Sequence, residues 1–128
     1  MKTVTKILII LTLGLSLLQA AAFSKDAKFR TTKVHITAEK PVTSGSNTFI
    51  FEIKKGVNAV EDSQVTIKAF MPAMPGMPAM KSQVNAENLG GGKYKATLNL
   101  AMSGTWQIHI FITPTSGKKS RVKTTINF

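Results

Sequence analysis

Residues 64–80 read Gln-Val-Thr-Ile-Lys-Ala-Phe-Met-Pro-Ala-Met-Pro-Gly-Met-Pro-Ala-Met. The first eight alternate apolar and polar, with Val65, Ile67, Ala69 and Met71 in phase. That period of two is the mark of a half-buried β-strand. At Pro72 the pattern stops. Four of the chain's six methionines, Met71, Met74, Met77 and Met80, then recur every third residue, interleaved with Pro72, Pro75 and Pro78. Proline at that spacing forbids a helix and removes the donors a strand needs.

Two backbones remain. In polyproline II the four thioethers would line one edge about 9 Å apart, too far to share an ion. Alternatively, Pro75-Gly76 form the corners of a type II turn, which takes Pro second and Gly third. That turn brings Met74 and Met77 within about 7 Å and sets Met71 opposite Met80. Thioether sulfur is a soft, neutral donor suited to Cu(I) and poorly suited to Zn(II) or Mg(II). The folded loop is therefore a candidate Cu(I) site. The competing reading is an apolar loop that caps the core or docks in a partner's groove, since methionine adapts to irregular surfaces.

Alternation recurs outward from this stretch. Strands are predicted at 33–38 (Val34, Ile36, Ala38 on one face), 47–54 (Phe49, Phe51, Ile53) and 64–71. More follow at 82–87 (Val84, Ala86), 93–100 (Tyr94, Ala96, Leu98, Leu100), 105–113 (Trp106, Ile108, Ile110, Ile112) and 121–128 (Val122, Thr124, Ile126, Phe128). Turns fall at Ser44-Gly45-Ser46, Gly90-Gly91-Gly92, Ser103-Gly104 and Pro114 to Gly117. No segment after residue 22 shows a helical period. Seven short strands spaced by about ten residues predict an all-β, immunoglobulin-like antiparallel two-sheet sandwich. Trp106 is the best single core residue.

The chain begins with a basic front, Lys2 and Lys6, an apolar run from Ile7 to Leu18, and small residues Ala20-Ala21-Ala22. This predicts a secretory signal peptide over 1–22, cleaved after Ala22, and hence a periplasmic protein. A retained membrane anchor is the alternative, although the run is short of the roughly 20 residues that span a bilayer. The polar residues 23–32 are expected to form a loose arm, and 33–128 the sandwich domain. Without Lys2 and Lys6 the net charge falls from +11 to +9. Export and the scattered lysines argue against nucleic acid as partner. They leave a solvated basic surface, with weak attraction to anionic membrane surfaces as its functional counterpart.

The chain has no cysteine, so any soft-metal site must use Met and His. If strands run alternately up and down, the turn 101–104 lies at the same end as the methionine loop and brings Met102 to it. The same count places His35 in the upper half, as the better of two histidines to complete the site; His109 is mid-strand and faces outward. The six acids, Asp26, Glu39, Glu52, Glu61, Asp62 and Glu87, form no catalytic pair, and the glycine run lies between strands rather than before a helix, where it could cradle phosphate. The chain is not expected to be an enzyme.

The Met-Pro loop after a strand, followed by Gly92-Lys93-Tyr94 and by Met102-Ser103-Gly104-Thr105-Trp106, resembles the YtkA-like domain family, which is related to FixH. The resemblance spans about 29–128. It implies an immunoglobulin-like sandwich and copper handling in the cell envelope. The expected function is to buffer Cu(I) or pass it to a copper efflux or membrane protein; the alternative is a metal-free assembly module that docks on such a protein through the loop. The resemblance carries Met71, Met74, Met77 and Met80 as functional positions. Some members of the family pair this loop with histidine; here no histidine lies within it, and methionine alone favours Cu(I) over Cu(II).

Overall fold

The computed structural model describes residues 22–128; the expected signal peptide falls almost wholly outside them. The alternation read from the sequence becomes one-sided burial. Along Lys93–Leu100 exposed and buried residues alternate without a break, and Ser63–Met71 and Thr105–Pro114 repeat the pattern. Strands with one apolar face must cover it, and two sheets do so face to face.

The first sheet holds β1 (Phe23–Phe29), β2 (Thr32–Ala38), β3 (Gly45–Lys55), β8 (Lys93–Leu100) and β7 (Glu87–Gly90), in the order β1-β2-β3-β8-β7. The two-residue β4 (Asn58–Ala59) pairs with the end of β3. The second sheet holds β5 (Ser63–Met71), β6 (Met80–Asn85), β9 (Thr105–Pro114) and β10 (Ser120–Asn127), in the order β10-β9-β5-β6. Every strand pairing is antiparallel. Trp106, Tyr94, Phe49 and Phe51 are the largest fully buried side chains.

Six of the seven expected strands form as single strands, the seventh is divided in two, and β1 and β4 are additional. The largest difference is at 23–32. The expected loose arm is a strand over Phe23–Phe29, in full register with β2 from Phe23↔Ala38 to Phe29↔Thr32. Its sequence hides this because it is an edge strand. Only Ala27 is buried, and charged residues on an edge discourage pairing with another chain. Phe23 still reaches the core, meeting Phe49 edge-on with ring centroids 5.8 Å apart. The second difference is at the predicted strand 82–87. It is two strands, β6 in one sheet and β7 in the other. The chain changes sheets at Ala86, whose N–H donates to the Val65 carbonyl (2.8 Å). Both run in the same direction, so the up-and-down count survives the break.

The Gly-x-Tyr motif has a structural reason. Gly92 has φ +81°, and a Cβ there would lie 2.9 Å from the Ile53 carbonyl oxygen. Two residues on, the buried Tyr94 hydroxyl donates to the Val60 and Glu61 carbonyls (2.8 and 3.0 Å). It thus fastens the 60–62 segment to the sandwich. Burial, above all, pushes the phenol above its ordinary value of 10.0, so it stays protonated and donating. Replacing it, Tyr94→Phe, leaves both carbonyls without their donor. Urea unfolding at neutral pH should show a loss of about 1–2 kcal/mol, as a lower midpoint with an unchanged slope.

Candidate functional site

β5 ends at Met71 and β6 begins at Met80, directly opposite each other in register. Between them Pro72 and Pro78 lack the N–H groups that would continue the ladder. Pairing resumes once, at the tip. Met74 N–H donates to the Met77 carbonyl (3.0 Å), and Met77 N–H donates back to the Met74 carbonyl (2.8 Å). Such a reciprocal pair sets the two Cα atoms about 5.5 Å apart. Pro75-Gly76 form the bend, with Gly76 at φ +81°, as the third position of a type II turn requires. The segment is a folded hairpin and not an extended polyproline edge.

The second loop, 101–104, is fixed from three sides. The Trp106 indole N–H donates to the Met102 carbonyl (2.9 Å). Gly104 N–H donates to the Phe128 carbonyl (3.0 Å), and Phe128 N–H donates to that of Gly104 (3.2 Å). Gly104 also sits against the buried Met71. A Cβ there would lie 2.8 Å from the Met71 methyl carbon, and its φ of +142° disfavours any other residue.

The two loops enclose a cleft of about 440 Å³, lined by Met71, Pro72, Met74, Met102 and the segment Ser103–Thr105 with Gln107. The structure therefore brings Met71, Met74 and Met102 to one cleft whose other polar groups are uncharged. Met71 is buried, Met102 half-buried and Met74 about half exposed, at 48%. Met77 and Met80 belong to the same hairpin and are half-buried, Met80 against the core, but they do not line the cleft. Among the described residues no group of three or more His, Cys, Asp or Glu could hold a metal. In this cleft the metal-binding chemistry on offer is thioether sulfur, which suits a soft monovalent cation.

His35 is not brought to this cleft. It lies mid-strand in the other sheet, with its side chain turned outward because Val34 and Ile36 take the inward positions. Its Nδ1 bonds the Asp26 carboxylate across the β1–β2 pair (2.6 Å), at a separate depression that also includes Glu52. The structure does not bring His35, expected to complete the methionine set, to the cleft that holds Met71, Met74 and Met102. His109 also faces outward, on the second sheet, edge-on to Phe70 and Phe111 with centroids 5.0 and 6.1 Å away. Burial first, then the charges of Arg121, Lys123 and Lys68, hold its pKa below 6.5.

The sequence reading missed the part played by Gly104 and by Gln107. The signal for Gly104 was the Met-Ser-Gly-Thr-Trp motif itself; Gln107 had none.

These features fall within a family pattern. A model of the YtkA-like family matches residues 26–111, and the chain belongs to that family. The match takes in both loops of the cleft, Tyr94 and Trp106. Among solved structures, the soluble domain of PmoD from Methylocystis sp. ATCC 49242 (Rockwell) is similar in fold. The TM-score is 0.54 at 14% identity, over 80% of this chain and 95% of that one. No curated protein sequence matches this chain.

The packing of Gly104 on Met71 can be tested directly. Gly104→Ala should cost about 1–2 kcal/mol, because the added Cβ meets a strained backbone and displaces the Met71 methyl. Thermal unfolding followed by near-ultraviolet circular dichroism of Trp106 reads this loss.

Proposed function

We propose that this chain is an exported, periplasmic copper-binding protein. It buffers Cu(I), or hands it to an efflux or membrane protein, and so contributes to copper resistance. The observation that carries this reading is the cleft in which Met71, Met74 and Met102 converge from two loops. Neutral sulfurs that do not titrate hold a soft ion without proton release, and that suits a reversible carrier. Met77 and Met80, next on the same hairpin, are the alternative donors if the turn shifts. With its methionine-rich loop and expected signal peptide, the chain resembles most the copper resistance determinant CrdA of epsilon-proteobacteria. We assign it no enzymatic activity.

Purified residues 23–128, titrated with Cu(I) under reductant, should take up about one ion per chain, with only sulfur neighbours in the X-ray absorption spectrum. The double variant Met74→Leu, Met102→Leu keeps the apolar volume and should abolish uptake, while the buried Met71 stays untouched and the fold intact. Unchanged affinity in that variant would remove the copper reading. A second reading, docking of the loop on an envelope protein without metal, draws on the exposure of Met74 and its flanking prolines. It predicts that leucine is tolerated and that Met74→Asp destroys function.

Export carries its own test. β1 begins at Phe23, so cleavage after Ala22 leaves every strand whole. Intact mass of the exported protein should correspond to an N-terminal Phe23.

A further inference from the structure

The end of the sandwich opposite the methionine cleft has the reverse character. There the β1–β2 turn at Arg30 lies beside the β3–β4 turn, joined by the Gly56 N–H donating to the Thr31 carbonyl (2.9 Å). Between the β1–β2 and β9–β10 hairpins opens a cleft of about 800 Å³. Lys28, Arg30 and Lys55 line it from one sheet. Lys118, Lys119, Arg121 and Lys123 line it from the other. They are seven of the fifteen basic residues that follow Ala22, and among the described residues no Asp or Glu lines the cleft. Its floor is apolar, with Val60, Ile112 and Pro114.

Exposed apolar side chains gather at the same end. Among the described residues four large hydrophobics are exposed, and three of them, Phe29 (45%), Val57 (93%) and Leu89 (49%), lie on its turns or strand ends. The Arg30 guanidinium covers the Phe29 ring at 5.3 Å. Val57 stands at the tip of the β3–β4 turn, almost wholly in solvent.

Seven cations around one cleft repel each other, and nothing within the cleft neutralises them. An anionic partner would. A small soluble anion would engage the charges but leave Val57 and Phe29 in water. An anionic bilayer satisfies both, because its phosphates meet the lysines while the apolar tips enter the headgroup boundary. We propose that this end docks on the surface of an anionic lipid bilayer. The docking holds the methionine cleft about 30 Å away, the length of a nine-residue strand. It does not depend on copper.

The test is sedimentation of residues 23–128, which hold every strand and the whole core, with vesicles of mixed phosphatidylglycerol and phosphatidylcholine. Binding should be strong at low salt, weaken in high salt, and be absent with phosphatidylcholine alone. Each basic residue near an anionic surface is worth about fivefold in partitioning. The triple variant Lys118→Gln, Lys119→Gln, Arg121→Gln should therefore bind about 100-fold more weakly, and Val57→Asp should weaken binding at unchanged fold. The charge-matched control Lys40→Gln, Lys81→Gln, Lys95→Gln, placed on other surfaces, should lose less than tenfold. Equal loss in the control would overturn the proposal, since net charge alone would then suffice. So would tight binding of tripolyphosphate without binding to vesicles, which would make the cleft a site for free phosphate. The Met74→Leu, Met102→Leu variant must still bind vesicles; if it does not, the docking end is wrongly assigned, whatever the outcome of the copper titration.

Discussion

The indole of Trp106 couples the core to the methionine end. Its ring is buried between the sheets, and a buried indole N–H needs an acceptor; the Met102 carbonyl supplies it. The turn that carries Met102 is thereby held by one of the largest fully buried side chains of the core. The chain has no cysteine, so no disulfide ties its sheets together. Cohesion comes from the apolar inner faces, and the methionine cleft inherits its rigidity on one side from that packing. On the other side, the reciprocal bonds of Met74 and Met77 close a hairpin whose flanking prolines cannot pair further. One wall is therefore anchored to the core through Trp106, while the other is a short hairpin held at its base by Met71 and Met80 and at its tip by that reciprocal pair.

The two ends of the sandwich differ in the kind of partner they could hold. The methionine end offers neutral, polarisable sulfur and no charged lining. The far end offers cations around an apolar floor. An ion carrier gains from this separation, because the positive charge of a bound ion is kept away from a positively charged surface. The family match ends at Phe111. It covers the methionine end together with Lys28, Arg30 and Lys55, whereas Lys118, Lys119, Arg121 and Lys123 lie beyond it.

What could be read directly was whatever depends on local period and local chemistry. Lys93–Leu100 alternates so regularly that its strand bounds and its inward face follow from the residues alone, and Pro75-Gly76 offers a type II turn that the Met74–Met77 pairing then selects over polyproline II. Strand β1 could not be read that way. Ser24, Lys25, Asp26 and Lys28 are polar, and only pairing with β2 makes them a strand. The switch of sheet at Ala86 is equally silent, because β6 and β7 run on in one direction and no turn residue marks the change.

The sequence by itself determined seven strand segments and the absence of thiolate chemistry, and it offered the bend between the methionines as one of two backbones, because each of these depends on residue types and neighbours within a few positions. The tertiary structure alone decided which sulfurs share a cleft. Met71 and Met102 are brought together by Gly104, whose missing side chain leaves room for a methyl group from a strand far away in sequence. It also decided that His35 stays out, since a one-residue alternation aims the imidazole away from the core and toward Asp26. Such outcomes depend on how two sheets stack, and no local pattern encodes that stacking.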